Sequence, residues 1–178
     1  YTTLFRSEKL TVTRQVLAWM QPQQPDLFST DSFPCWFIVE NDGEGAYYGF
    51  PWINDPATNM TGIKVAYHHR GTPTEPDKVN REITEEDTDH LRTFIQKHLP
   101  KAMGEIHFSK TCLYSYSPDE HFIIDHVPDT EGRVSMAWGF SGHGFKFASA
   151  VGEILADLAI DGKTRSPIGF LRADRFEH

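Results

Sequence analysis

In the run GIKVAYHH, residues 62–69, Ile63, Val65 and Tyr67 alternate with Lys64, Ala66 and His68. Successive side chains of an extended chain point to opposite faces, so this period of two predicts a strand with Lys64 and His68 on one face. Similar runs recur along the chain. LTVTRQVLAWM (10–20) is β-branched and apolar, and CWFIVE (35–40) and AYYGFPWI (46–53) flank the turn sequence NDGEG (41–45), a hairpin signal. GEIHFSKTCLYSYS (104–117), HFIIDHV (121–127) and RVSMAWGF (133–140) read as further strands. Most connections are short turns, whereas parallel neighbours need a long crossover, so the sheet is expected to be largely antiparallel.

Two segments follow a helical period instead. From Thr84, with Asp87 three residues on as a variant of the capping box, Leu91, Phe94, Ile95 and Leu99 form one stripe that Pro100 ends. From Gly144 to Ile160 the stripe is Phe147, Val151, Ile154, Leu155 and Leu158, and Asp161-Gly162 closes it. QPQQPDLFSTDSFP (21–34) and HRGTPTEPDKVN (69–80) read as loops. The expected fold is α+β: a largely antiparallel sheet of about six strands with two main helices, in one domain over residues 1–178. No strand leads through GxGxxG into a helix, so the dinucleotide-binding fingerprint is missing. The chain starts without Met, just before a strand, which suggests a cut from a longer chain.

Composition narrows the function. A formal net charge of -8 with no basic stripe argues against nucleic acid and anionic membrane as partners. No apolar run approaches a membrane span, and YTTLFRSEKL lacks the apolar stretch of a signal peptide. Cys35 and Cys112 are read as free thiols in a reducing compartment, hence a cytoplasmic protein. The nine histidines show no metal-binding spacing, so no metal site is expected. Aromatic residues reach 13%, enough to furnish a ring-lined core or pocket.

Three stretches are chemically loaded. SGHGFKF (141–147) joins a strand to the last helix, where Gly142 and Gly144 would let a ligand's polar edge approach the backbone and Lys146 adds charge at a helix N-terminus. The plain alternative is a tight turn with an exposed lysine. In KTCLYSYSPDEHF (110–122), Cys112 and Tyr114 share a strand face with Lys110, whose charge would favour a thiolate; a lone strand cysteine is otherwise a small buried hydrophobe. In the third, Tyr48, Lys64 and His68 are polar or amphipathic groups on strands, each readable singly as solvated or structural.

Together, YYGFP, GIKVAYH, VNREITEED, TCLYSYSPDEHFIIDHVP and WGFSGHGFKFASAVGEILADLAIDGKT resemble the monomeric sarcosine oxidase and N-methyltryptophan oxidase family, in the same order and at similar spacing. DEHFIID and GFSGHGFKF are the specific words. The resemblance implies the substrate-domain portion of an FAD-dependent amino-acid oxidase-like fold, without its N-terminal Rossmann half. It implies FAD held covalently through Cys112, with Gly142, Gly144, Phe145 and Lys146 along the flavin's pyrimidine edge. It places Lys64 near flavin N5, promoting reaction with oxygen, and makes His68 and Tyr114 residues of the substrate pocket, which Tyr48 lines. Lys146 would also hold the substrate carboxylate. Phe37 or Ile38 would lie near that pocket, leaving substrate size open. The implied activity is oxidation of a secondary N-methyl amino acid to an imine, with oxygen reduced to hydrogen peroxide. Its partners would be a small amine or amino acid, oxygen, and the N-terminal half of the same protein. These 178 residues alone are expected to be inactive and without FAD. The alternatives are an oxidase for N-methyltryptophan or pipecolate, and a non-enzymatic binding or assembly module.

Overall fold

A computed structural model describes residues 10–40, 45–69 and 71–176. Eight strands and two α-helices occur among them: β1 (Thr11–Pro22), β2 (Trp36–Val39), β3 (Ala46–Asp55), β4 (Met60–His68), β5 (Thr72–Pro73), α1 (Glu86–His98), β6 (Gly104–Tyr116), β7 (Ile123–His126), β8 (Ser135–Trp138) and α2 (Ala148–Asp161). Six strands make one sheet in the order β2-β3-β4-β1-β5, with β6 also paired to β1; β7 and β8 form a separate ribbon. The pairings β1–β4, β2–β3, β3–β4 and β7–β8 are antiparallel, in keeping with the sequence expectation. The NDGEG turn lies outside the described residues apart from Gly45.

The chain divides into two compact units, Arg14–Leu113 and a second built from Tyr1–Thr13 with Tyr114–His178. In the first unit the sheet has two unlike faces. One packs on α1: Ala18, Met20, Ile63 and Val65 meet Leu91, Phe94 and Ile95, with Trp36, Ile38, Tyr47 and Tyr67 around them. The predicted stripe is the buried one, although Leu99, beyond the last helical turn, is only half-buried. Asp87 accepts from the Thr84 backbone N–H at 3.0 Å, the reciprocal half of a capping box, while Thr84 supplies no cap of its own.

The other face follows from register. Phe50, Lys64 and Trp19 are directly opposed across β3, β4 and β1. Phe37 opposes Tyr48, and Tyr48 opposes Ala66. Opposed residues of a sheet share a face, so Phe37, Tyr48, Phe50, Lys64 and Trp19 lie together, away from α1.

Simple alternation along β3 would put Phe50 and Trp52 on the same face. The register slips by one between them, so Pro51 is an extra residue in a β-bulge. Proline has no N–H to give a ladder and is tolerated at such a site. Phe50 stays beside Lys64, and Trp52 turns to the α1 core, its indole N–H donating to Gln21 Oε1 at 3.3 Å.

In the second unit α2 covers the β7–β8 ribbon. Val151, Ile154 and Leu158 are buried with Phe122, Ile124 and Leu171. Two details differ from the sequence reading. The segment expected to open the last helix, from Gly144, forms a 3-10 turn over Phe145–Phe147, and α2 starts at Ala148. The loop at 69–80 contains the two-residue strand β5. Gly162 ends α2 in the left-handed conformation, φ 68°, donating to the Leu158 carbonyl at 3.1 Å, the termination predicted for it.

Candidate active site

Lys64 lies amid the sheet face turned away from α1. Its Nζ lies 4.6 Å from the Phe50 ring centre, 5.1 Å from Tyr48 and 5.7 Å from Trp19. A lysine among rings keeps some stabilisation of its charge from their electron-rich faces but loses water. Burial accordingly pushes its pKa below the usual lysine value. Lys64 is therefore not the solvated lysine that its sequence context allowed.

Cys112 lies on β6, half-buried, its thiol 3.7 Å from the Leu113 carbonyl oxygen. The sequence suggested Lys110 as the cation favouring its thiolate. Lys110, on the same strand, is exposed. Both cysteines are free thiols, as expected. His68 sits at the end of the same β4 face, its ring 6.4 Å from that of Phe37. The first unit thus brings together Tyr48, Lys64, His68 and Cys112. It adds Trp19 and Phe50 beside Lys64, where sequence reasoning had not placed them, and Phe37 beside His68. Cross-strand register locates the first two, and register is hard to read from isolated strands when a bulge intervenes.

The second unit carries the other predicted residues. After β8 the backbone turns through left-handed conformations at Gly139 (φ 65°), Ser141 (φ 48°) and Gly142 (φ 78°). The strain at Ser141, a residue with a Cβ, is held by buried hydrogen bonds. Its N–H donates to the Ser115 carbonyl at 2.9 Å, and its hydroxyl donates to the Gly139 carbonyl at 3.2 Å. Gly142 presses against Tyr114: a Cβ there would fall 2.5 Å from the ring. At Gly144 a Cβ would fall 2.5 Å from the Phe140 ring. Both glycines therefore have an intramolecular reason to lack side chains, beside the ligand approach expected of them. Phe145 is 97% exposed and Lys146 is exposed beside it, so this turn offers an aromatic ring and a cation outward.

The residues of the first unit have the chemistry to hold the isoalloxazine system of a flavin. A thiol that is not sealed in a core can be alkylated, and a partly desolvated lysine offers fixed positive charge to an electron-rich heterocycle. Flat rings suit a planar group. Among the described residues no cluster of His, Cys, Asp or Glu suited to a metal ion occurs, and no helix is long and apolar enough to cross a membrane.

Sequence comparison assigns the class that this chemistry suggests. Residues 3–158 match the FAD dependent oxidoreductase family, and the chain belongs to it. It is 40% identical over 164 residues to monomeric sarcosine oxidase of Arthrobacter sp. (strain TE1826), covering 91% of this chain and 40% of that enzyme. It is 36% identical over 169 residues to N-methyl-L-tryptophan oxidase of Yersinia pestis (strain Pestoides F), covering 94% of this chain and 43% of that one. The chain thus spans less than half the length of these relatives. The fold recurs in L-proline dehydrogenase from P. horikoshii, with a TM-score of 0.72 at 24% identity over 94% of this chain and 40% of that one. It also recurs in fructosamine oxidase (Amadoriase II) of Aspergillus fumigatus, with a TM-score of 0.71 at 22% identity over 93% of this chain and 40% of that one.

Proposed function

We propose that these residues are the substrate-side part of a flavin oxidase acting on a secondary N-methyl amino acid, with release of hydrogen peroxide. The observation that carries the reading is Lys64 walled by the rings of Trp19, Tyr48 and Phe50 on the sheet face away from α1. Bound FAD would supply the two-electron acceptor that turns the amine into an imine. Cys112 would hold it by a thioether, and Gly142, Gly144, Phe145 and Lys146 would lie along its pyrimidine edge. The dinucleotide-binding part is assigned to residues outside these 178, a reading supported by the relatives' greater length. The same reading makes the 178 residues by themselves colourless and inactive, and free thiols favour a cytoplasmic setting.

The chain's own groups divide the remaining work. Lys64 holds a positive charge at Nζ where aromatic walls exclude water, and such a charge stabilises developing negative charge more strongly than it would in water. In this role it assists the step that consumes oxygen. Tyr48 offers a ring face on which an ammonium or amine packs. His68 and Tyr114 orient the substrate. Lys146, exposed and unencumbered by burial, receives the substrate carboxylate as a point charge.

Two measurements on the whole flavoprotein test this. Acid precipitation should leave flavin attached to the unsubstituted protein and release it from Cys112→Ser; flavin that stays with the serine variant removes the anchoring role. Stopped-flow reoxidation should slow by at least about tenfold in Lys64→Met, the scale of losing one preorganised electrostatic contact. An unchanged oxygen rate removes the role of Lys64.

A further inference from the structure

On the α1 side of the first unit's sheet, behind the face of Lys64, rings are stacked in one column. Trp36 of β2 lies on Phe94 of α1, ring centres 5.8 Å apart and 10° from parallel. Phe94 lies on Tyr47 of β3 at 3.9 Å and 11°. Tyr47 lies on Tyr67, directly opposite on β4, at 4.4 Å and 27°. Tyr67 lies on His69 at 4.4 Å and 23°. Successive strand residues point to opposite faces, so the column backs onto the site residue by residue. Tyr47 is the chain neighbour of Tyr48, and Tyr67 that of His68. The far end meets solvent: Tyr67 and His69 line a cleft of about 150 Å³ with Thr72, Glu86 and His90.

Space filling alone does not call for phenols here. Phenylalanine would fill the same volume without a hydroxyl to desolvate. Burial, ahead of the neighbouring Tyr67 and Glu40, raises the Tyr47 phenol above its ordinary value, the mark of a hydroxyl kept partly from water. What a phenol adds to a stacked ring is that it can be oxidised by one electron and reduced again.

We propose that Tyr47 and Tyr67 form a redox relay that draws one-electron oxidising equivalents off the site face and delivers them to the cleft beside His69. The oxidant is hydroxyl radical, which forms from peroxide, so the use of the relay rests on the oxidase reading above. Hydroxyl radical takes a hydrogen atom from the Tyr48 phenol and becomes water. The Tyr48 phenoxyl regains an electron from Tyr67 by way of Tyr47, and a proton from solvent. Tyr67 releases its own proton to water in the cleft. A small enediol or thiol in solution then returns a hydrogen atom to the Tyr67 phenoxyl. The net change is one hydroxyl radical reduced to water and one solution reductant oxidised by a hydrogen atom, with each tyrosine restored.

The whole flavoprotein is tested with hydroxyl radical generated from peroxide and iron(II), in the presence of ascorbate, and oxidised residues are mapped by mass spectrometry. Tyr47→Phe and Tyr67→Phe keep the stacked rings and remove only the oxidisable hydroxyl, so the fold should persist, which a thermal melt verifies. At equal radical dose each variant should accumulate severalfold more oxidised Tyr48 than the unsubstituted protein. Equal oxidation of Tyr48 in all three proteins overturns the relay, and a purely structural role for the column gives that result. The radical is supplied from outside, so the outcome does not depend on amine oxidation. A protein that oxidises no N-methyl amino acid, yet loses protection of Tyr48 in both variants, fails the oxidase reading and keeps the relay.

Discussion

At the scale of single residues, Lys64 shows how a site is held at a cost to stability. Its ammonium has been taken partly out of water, and its ring neighbours replace hydration incompletely. Lys64→Met should therefore stabilise the fold at pH 7 by about 1 kcal/mol, a rise of roughly 2–4 °C in Tm for a chain of this size. The pH dependence has a definite sign. The folded pKa of Lys64 lies below its ordinary value of 10.5, so between the two values the unfolded chain binds the extra proton. The lysine protein gains stability as pH rises through that interval. The advantage of methionine should be full below the folded pKa and shrink as the pH approaches 10.5. Melts at pH 7 and at pH 10 check this. A variant that is more stable and slower with oxygen is the signature of a functional charge.

At the scale of elements, the sheet depends on one close approach. Gly49 on β3 leaves room for the Trp36 indole: a Cβ there would lie 2.5 Å from that ring and 2.1 Å from the Lys64 carbonyl oxygen. The space lets Trp36 stack on Phe94 of α1, rings 5.8 Å apart and 10° from parallel. Gly49→Ala should destabilise by about 1–3 kcal/mol, the usual cost of forcing atoms into a packed site. Gly152 is the opposite case. It lies inside α2 with nothing within 4 Å of a Cβ, so Gly152→Ala should stabilise the 178-residue chain by roughly 0.5–1 kcal/mol through helix propensity. Urea titrations of both variants measure the two signs together. The strand alternation, the helix stripes and the Asp161-Gly162 stop were legible in the sequence because each depends on neighbours a few residues away. The Pro51 bulge was not, because a bulge exists only relative to the partner strand that it slips against.

At the scale of the molecule, the acid side of the stability curve should carry one identifiable contribution. Within the second unit, Asp119 accepts from Arg175 Nε at 2.8 Å and Nη2 at 3.0 Å, and from the His121 backbone N–H at 3.1 Å. The Arg175 guanidinium, ahead of the backbone contact, holds the Asp119 carboxyl down at about 2 against an ordinary 3.8. The folded pKa is depressed, so this stabilisation is complete above the unfolded value near 4 and is lost as pH falls toward 2. Asp119 is about a third exposed, so the contribution is screened to about 1 kcal/mol. Asp119→Asn should lower Tm at pH 7 by a few degrees, and the two proteins should converge below about pH 2. Melting curves from pH 7 to pH 2 at low salt decide it.

The amino-acid sequence by itself determined the class of fold, the helix faces and the membership of the flavin oxidoreductase family, since periodicity, end signals and motif words are local and survive in a string of letters. It also named Tyr48, Lys64, His68 and Cys112 as separate candidates, each with an ordinary explanation. Tertiary structure decided what surrounds them. Cross-strand register set Phe50 and Trp19 on either side of Lys64, and burial among rings depressed its pKa. It also chose between two neighbours on β2, turning Ile38 into the core and Phe37 outward beside His68. The physical reason is common to these cases: desolvation and the company a side chain keeps depend on residues distant in sequence, which only pairing across the sheet brings together.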